Sequence, residues 1–414
     1  MKFSDLGLGN RICNVLDECG FVAPTDIQSQ AIPEVVAGND VLGIAQTGTG
    51  KTGAFCLPIV ERLFQQGKKA KAKPKQVTTL ILAPTRELAG QILNEAKRYS
   101  VDSWIRSGVV TGGVNQRPQE RMLSKGVDIL VATPGRLLDL AGSGYVDLGR
   151  VSFLVLDEAD QLLDMGFIRD LRRIVKLLPP KRQTLLFSAT MPKAVEQFAA
   201  DILHQPVRVE VTPETVTVEK IEQGHLKVAT EAKQSALLSL LRQPEVRKAI
   251  VFTRTKHGAN RVAKKLDKQD VGVDVIHGNK SQNARNKALD RFKQGDAWVL
   301  VATDVAARGI DIRDVTHVIN FELPHEPEVY VHRIGRTARA GACGVAWSLV
   351  AQDERGRLKA IEKMTRVTVP ELAVDIEGDG EVIPVKSEDS QASENPRRRS
   401  RRRRNRSRNR KKAA

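Results

Sequence analysis

Aromatic residues make up only 4% of this 414-residue chain. Its cores must therefore be aliphatic, as those of parallel sheets buried on both faces usually are. Cysteine is equally scarce. Cys13, Cys19, Cys56 and Cys343 stand at spacings that fit neither a zinc site nor a disulfide framework. Reduced thiols in a cytosolic setting follow. No apolar run approaches the roughly 20 residues that span a membrane, and the opening MKFSDLGLGN lacks the apolar stretch of a secretory leader. These absences lead us to expect a cytoplasmic protein with no membrane partner.

Acids are missing from one stretch altogether. From Arg397 to Lys412 there are 12 Lys and Arg and no Asp or Glu. The whole chain, with 66 basic and 49 acidic residues, has a net charge of +17, so residues 1–396 carry only +5. The body is nearly balanced, and any nucleic-acid binding by it must rest on placed groups rather than bulk charge.

What the body does contain is a repeated alternation. Short aliphatic runs, each followed by a helix-like stretch, occur at 41–45, 78–83, 127–132, 153–156 and 184–187. A second set lies at 249–252, 273–276, 298–302, 317–320 and 346–350. Such runs read as strands buried on both faces, and strand–helix alternation reads as parallel βαβ units. Ser281 is placed to cap a helix whose Ala284, Ala288, Leu289 and Phe292 share a face. The expected fold class is α/β: two tandem domains with mostly parallel sheets, plus a disordered basic C-terminal tail. We place the first domain at 1–207, a Pro- and Thr-rich linker at 208–218, the second domain at 219–367 and the tail at 368–414. The lysine-rich stretch 67–75 reads as an exposed loop.

Two motifs carry phosphate chemistry. AQTGTGKT (45–52) follows the first strand and opens a helix, the context a P-loop requires. Its glycines let backbone N–H groups approach phosphates, and the helix N-terminus favours their charge. Lys51 would reach the β- and γ-phosphates and Thr52 would ligate Mg²⁺. The first Gly of the general pattern is replaced by Ala45. LVLDEAD (154–160) then sets acids directly after a strand. Asp157 is placed to hold Mg²⁺ and Glu158 to orient or deprotonate the attacking water. In the second half, Arg333, Arg336 and Arg339 recur at i, i+3, i+6, and arginine stabilises a transferring phosphoryl group.

These residues resemble the DEAD-box family of RNA helicases over about residues 3–350. GFVAPTDIQ (20–28), with Phe3 upstream, resembles the Q motif. AQTGTGKT, PTRELA (84–89), Gly112–Gly113, TPGR (133–136), DEAD (157–160) and SAT (188–190) follow in the family's order. VFTRTK (251–256), HGNKSQ (277–282), ATDVAARGID (302–311) and HRIGRTAR (332–339) complete the set, with Ala338 where the family usually has Gly. Within the family the chain looks most like bacterial RhlE-type helicases.

The resemblance implies two RecA-like domains and ATP with Mg²⁺ as cofactors. It implies that Phe21, Thr25, Gln28, Ala45, Gln46, Thr47, Gly48, Thr49, Gly50, Lys51, Thr52, Gly309 and Asp311 bind the nucleotide, Gln28 reading the adenine edge and Asp311 the ribose. Arg336 and Arg339 would be arginine fingers beside Lys51, Asp157 and Glu158. Asp160, Ser188, Thr190 and His332 would couple the nucleotide site to strand separation. Pro84, Thr85, Arg86, Gly113, Thr133 and Arg136 would line the RNA path on the first domain, and Thr253, Arg254, His277, Gly278 and Thr303 on the second. The function implied is an ATP-dependent RNA helicase that opens duplexes locally. RNA, structured or ribosomal, is the expected partner, with ribosome-assembly or RNA-decay proteins beside it. The alternatives are a DNA-directed helicase sharing the same core and an ATP-gated RNA clamp or annealing factor.

Overall fold

The aliphatic runs do become strands, because side chains alternate across each of them into two separate cores. The computed structural model describes residues 1–46, 48–211, 221–307, 314–338 and 344–372, with Val305 and Ala307 for their backbone only. Strands β1 (Val41–Ile44), β2 (Val77–Leu82), β3 (Ser107–Val110), β4 (Val127–Ala132), β5 (Phe153–Leu156), β6 (Gln183–Ser188) and β7 (Val207–Glu210) form a first sheet in the order β3-β4-β2-β5-β6-β1-β7. Strands β8 (Ile221–Lys227), β9 (Ala249–Phe252), β10 (Val273–Ile276), β11 (Val299–Ala302), β12 (His317–Asn320) and β13 (Gly344–Val350) form a second, in the order β10-β11-β9-β12-β13-β8. Every pairing among these strands is parallel.

The alternation is clearest in the first sheet. Ile81, Val155 and Phe187 enter one core with the helices Asp26–Ala37, Lys51–Gln66 and Arg86–Tyr99. Their neighbours Leu80, Leu82, Leu154 and Leu186 enter the other, against the helices Pro134–Gly142, Ile168–Lys176 and Lys193–Ile202. In the second sheet Val251, Val301 and Ile319 face one way, and Ile250, Phe252, Leu300 and Val318 the other. Helices on both faces of parallel strands give the expected α/β class, and the carboxyl ends of the strands become the working edge.

Three strands escaped the sequence reading, and all three lie at sheet edges. Ser107–Val110 is short and only half-buried, Val207–Glu210 carries Arg208 and Glu210 on exposed positions, and Ile221–Lys227 is polar. Residues 208–210, expected in the linker, pair instead with β1. Residues 212–220 lie outside the described residues. Residues 368–372, expected in the tail, are also described and pack on the second sheet. Val369 is buried, and Glu371 and Leu372 bridge to His225. The remainder of the tail, 373–414, lies outside the described residues. The helix capped by Ser281 spans Gln282–Gln294 and buries Ala288, Leu289 and Phe292, whereas Ala284 is exposed.

Candidate nucleotide and RNA site

The loop after β1 turns into the helix Lys51–Gln66 through Gly50 in the left-handed region. The Ala45 N–H donates to the Ser188 carbonyl, tying this loop to β6. Lys51 is buried and its Nζ donates to the Ala45 carbonyl at 2.8 Å. The Thr49 hydroxyl donates to the Gln46 carbonyl at 2.8 Å. Thr47 lies outside the described residues.

The Q-motif glutamine owes its place to helix capping. Thr25 caps the helix Asp26–Ala37 in a capping box with Gln28. Gln28 Oε1 accepts the Thr25 N–H, and Nε2 donates to the Gly50 carbonyl, both at 3.0 Å. One amide N–H is left over, and the side chain is pinned beside the P-loop. Phe21 packs half-buried on the same core.

Asp157, Glu158 and Asp160 follow β5, and all three are buried. Asp157 Oδ1 accepts the Glu158 N–H at 2.9 Å. Burial raises the Asp157 carboxyl, and Lys51 opposes the rise. Glu158 sits at φ 50°, ψ 54°, a left-handed conformation costly for a residue with a side chain. Its Oε2 is buried and makes no hydrogen bond with the described residues. Burial first, then the Asp157 carboxylate, push the Glu158 carboxyl up to about 7, while Lys51 and Arg336 pull it down. Arg336 belongs to the second sheet's half of the chain, so its field reaches the acids of the first.

Asp160 binds the SAT segment directly. Its Oδ2 accepts from the N–H groups of Ala189 (3.2 Å) and Thr190 (2.9 Å) and from the Thr190 hydroxyl (2.9 Å). The Ser188 hydroxyl accepts the Asp160 N–H and donates to the Thr190 carbonyl at 2.7 Å.

Of the three arginines expected on one side, Arg333 is engaged elsewhere. Arg333 is fully buried: it grips Asp304 with Nε (2.5 Å) and Nη2 (2.8 Å), and Nη1 donates to Asn320 and to the Glu322 carbonyl. Arg333 is therefore a strut joining the ATD segment to the helix Pro327–Ile334. Arg336 lies just beyond that helix, and His332 is half-buried within it. Arg339, Gly309 and Asp311 lie outside the described residues.

The expected RNA residues gather at the carboxyl ends of β2, β3 and β4 and of β9, β10 and β11. Pro84 and Thr85 follow β2, and the Thr85 hydroxyl accepts the Leu88 N–H to cap the next helix. Arg86 lies across Gly113, where a Cβ would sit 1.9 Å from its Nη1. Thr133 starts the helix Pro134–Gly142, and Arg136 reaches the Val114 carbonyl. Thr253 and His277 are buried and shape their loops. Thr253 donates to the Thr255 carbonyl, and His277 pairs with Asn260 at 3.0 Å. Arg254 pairs with Glu322. Gly278 has open space beside it, and Thr303 follows β11.

One link was not foreseen. Glu87 Oε1 pairs with Arg285 Nη2 at 3.0 Å and accepts from Gln282 Nε2 at 2.8 Å, joining the helix Arg86–Tyr99 to the helix Gln282–Gln294. Both ion-pair partners are largely shielded, with 5% and 12% of their side chains exposed. Burial, with Arg285 nearby, lowers the Arg86 guanidinium. Nothing in the sequence pairs residue 87 with residue 285; only the fold does.

Residues 25–198 match the DEAD/DEAH box helicase family, and residues 232–341 match the helicase conserved C-terminal domain. The ATP-dependent RNA helicase CshA of Listeria monocytogenes is 44% identical over 88% of this chain and 69% of its own length. The chain belongs to the DEAD-box ATP-dependent RNA helicases. The DEAD-box ATP-dependent RNA helicase CshA of Geobacillus kaustophilus is 43% identical over 91% of this chain and 80% of its own. These relatives are named CshA, and they lend no support to the finer RhlE-type expectation. Among solved structures, S. cerevisiae Dbp5 bound to RNA and ADP BeF3 superposes with a TM-score of 0.79 at 31% identity, covering 90% of this chain and 95% of that one. This DEAD-box helicase thus has two RecA-like parallel-sheet domains. No helix of its described residues is long and apolar enough to cross a membrane.

Proposed function

We propose that ATP binds between the P-loop and DEAD segment of the first domain and the arginines of the second, and that RNA lies along the carboxyl edges of both sheets. The observation that carries this reading is Glu158: a buried carboxylate oxygen without a hydrogen-bond partner among the described residues, its carboxyl pushed up to about 7, in the field of Arg336 from the other domain. A general base works best with a pKa near the operating pH. It becomes competent only when the domains close, so ATP and RNA each favour closure and tighten each other's binding. Gln28, fixed by Thr25 and Gly50, offers its spare N–H to the base. Phe21 supports it from the core.

The donor set also fits Mg²⁺. Thr52 and Asp157 supply one hydroxyl and one buried carboxylate, the sparse protein share that Mg²⁺ takes when phosphates and water complete its shell. Bound there, the ion would neutralise phosphate charge. Lys51, Arg336 and Arg339 would serve the same phosphates.

Contacts to backbone give little sequence selectivity. Stacking costs about 1.4 kcal/mol per DNA base-pair step, so displacing about five pairs costs on the order of 7 kcal/mol. One closure can supply that, and tens of pairs lie beyond it. We therefore propose local, non-processive opening of structured RNA in the cytoplasm, ribosomal RNA included, with assembly or decay proteins as neighbours. Unwinding rates for duplexes of increasing length, with matched RNA and DNA as ATPase stimulators, test this. Processive opening of long duplexes, or equal stimulation by DNA, would refute it.

A further inference from the structure

The lysine-rich stretch between the helix Lys51–Gln66 and β2 plays no part in the chemistry above, yet it is held in a fixed shape. The Ala72 N–H donates to Asp128 Oδ1 at 2.7 Å. The other oxygen of this fully buried carboxylate accepts from the N–H (2.8 Å) and Nε (3.2 Å) of Arg106. The Arg106 guanidinium also donates to the carbonyls of Ala72 and Lys125. Downstream, the Lys75 N–H donates to the Leu123 carbonyl and the Lys75 carbonyl accepts from Asp147, at 3.0 and 2.8 Å. The segment passes so close to Gly126 (φ 77°) that a Cβ there would lie 2.2 Å from the Lys73 carbonyl.

What this scaffold presents is charge of one sign. Lys68, Lys69, Lys71 and Lys73 are exposed, and none makes an ion pair or side-chain hydrogen bond among the described residues. No Asp or Glu occurs between Glu61 and Glu87. Some exposed cations elsewhere on this domain find acidic partners, as in Arg98–Glu95, Arg172–Asp201 and Arg173–Asp170, and others, such as Lys97 and Lys181, make no ion pair among the described residues, so it is the clustering on a fixed loop that distinguishes these four lysines. A loop that only improves solubility needs no buried carboxylate to fix its backbone. A fixed loop loses less entropy when it binds. Lysine, a compact and strongly hydrated charge, suits phosphates without reading bases.

We infer that the segment Lys68–Lys75 is a second, preorganised contact for the RNA phosphodiester backbone, on the end of the first sheet away from the cleft. It lies at the start of β2, whose far end leads to Pro84, Thr85 and Arg86. The six residues of that strand span roughly 20 Å. The loop therefore meets a different segment of a folded RNA from the one in the cleft. This rests on the reading that Arg86 belongs to the RNA path.

The test uses the full chain with Lys68, Lys69, Lys71 and Lys73 changed to Gln, and two probes: a short oligouridine, and a hairpin RNA with a single-stranded extension and a stem longer than about 20 Å. Affinities are measured from 50 to 200 mM salt with a non-hydrolysable ATP analogue. If three lysines contact duplex phosphates at about 0.9 in log–log slope each, the hairpin slope falls by about 2.7. Wild type then loses about fortyfold more affinity than the variant across that range. Oligouridine slopes stay equal, and Lys→Arg at the same four positions keeps the wild-type hairpin slope. An unchanged hairpin slope overturns the inference, as does an equal fall on oligouridine. Arg86→Ala separates the two readings. Lost oligouridine binding in Arg86→Ala beside an unchanged hairpin slope in the lysine variant removes the loop inference alone, whereas unimpaired oligouridine binding in Arg86→Ala removes the cleft assignment and the inference with it.

Discussion

Asp160 and Thr190 are joined twice, through the backbone N–H and the hydroxyl of Thr190, both 2.9 Å from the same carboxylate oxygen. The last acid of the DEAD segment thereby holds the loop after β6, and Ser188 completes the ring by bonding to both partners. Changing Ser188 and Thr190 together to Ala removes the hydroxyl links and leaves the backbone bonds and Glu158 in place. A bond to a charged group contributes about 2 kcal/mol. We expect RNA-stimulated ATP turnover to stay within severalfold of wild type while duplex unwinding falls by about thirtyfold. Parallel loss of both activities would show that this ring serves hydrolysis rather than coupling.

The contrast between this ring and the Glu87–Arg285 pair shows how far the sequence could be read. Strands such as Leu80–Leu82 announce themselves because burial on both faces demands an unbroken aliphatic run. Asp157 and Glu158 are legible because acids at a strand end have few structural reasons to be there. Edge strands with one wet face look like loops, which is why residues 208–210 of β7 passed for linker. Arg333 looked like a phosphate ligand because its partner, Asp304, lies 29 residues away and is brought to it by β11 and β12. Local pattern reveals elements and motifs, while pairings across the fold need the topology.

Glu158→Gln keeps the shape of the side chain and removes the base. Its Oε2 makes no hydrogen bond among the described residues, so folding should be little affected. Positioned proton transfer is worth about 10²- to 10⁴-fold. Single-turnover hydrolysis should fall within that range with ATP affinity preserved. Turnover at the wild-type rate would disprove the assignment of Glu158 as base.

Gly113→Ala acts on RNA without touching the nucleotide. Gly113 has φ 68°, and an added Cβ would meet the Arg86 guanidinium. The backbone strain is about 1 kcal/mol, and Arg86 must leave its seat. RNA affinity should drop by about tenfold or more, with RNA-independent ATPase within about twofold of wild type. If the RNA titration is unchanged, Arg86 is not held for RNA by this glycine.

Glu87 and Arg285 tie the two domains, so their pairing should appear in the coupling between ligands rather than in either binding step alone. A double-mutant cycle with Glu87→Gln and Arg285→Gln should give an interaction energy of about 0.5–3 kcal/mol. It should appear equally in the effect of RNA on ATP affinity and of ATP on RNA affinity, since such coupling is reciprocal. Additive single changes would mean that the contact carries no part of the closure.

His317 should give the second domain an acid-sensitive stability. Its ring packs tilted against Trp347 at 4.6 Å, its Nδ1 contacts the Thr316 hydroxyl, and its Nε2 is buried without a hydrogen bond among the described residues. Burial lowers its pKa from the ordinary 6.5, opposed by Glu245. Between that lowered value and 6.5 the unfolded chain binds a proton that the folded chain does not. Stability therefore rises with pH across this window, is fully present above it, and is lost as pH falls below 6.5. His277, also lowered by burial, adds in the same direction. Urea midpoints should accordingly be lower at pH 5.5 than at pH 7.5, and His317→Asn should flatten part of that slope while lowering stability at neutral pH. Identical slopes for wild type and variant would move the acid sensitivity to other groups.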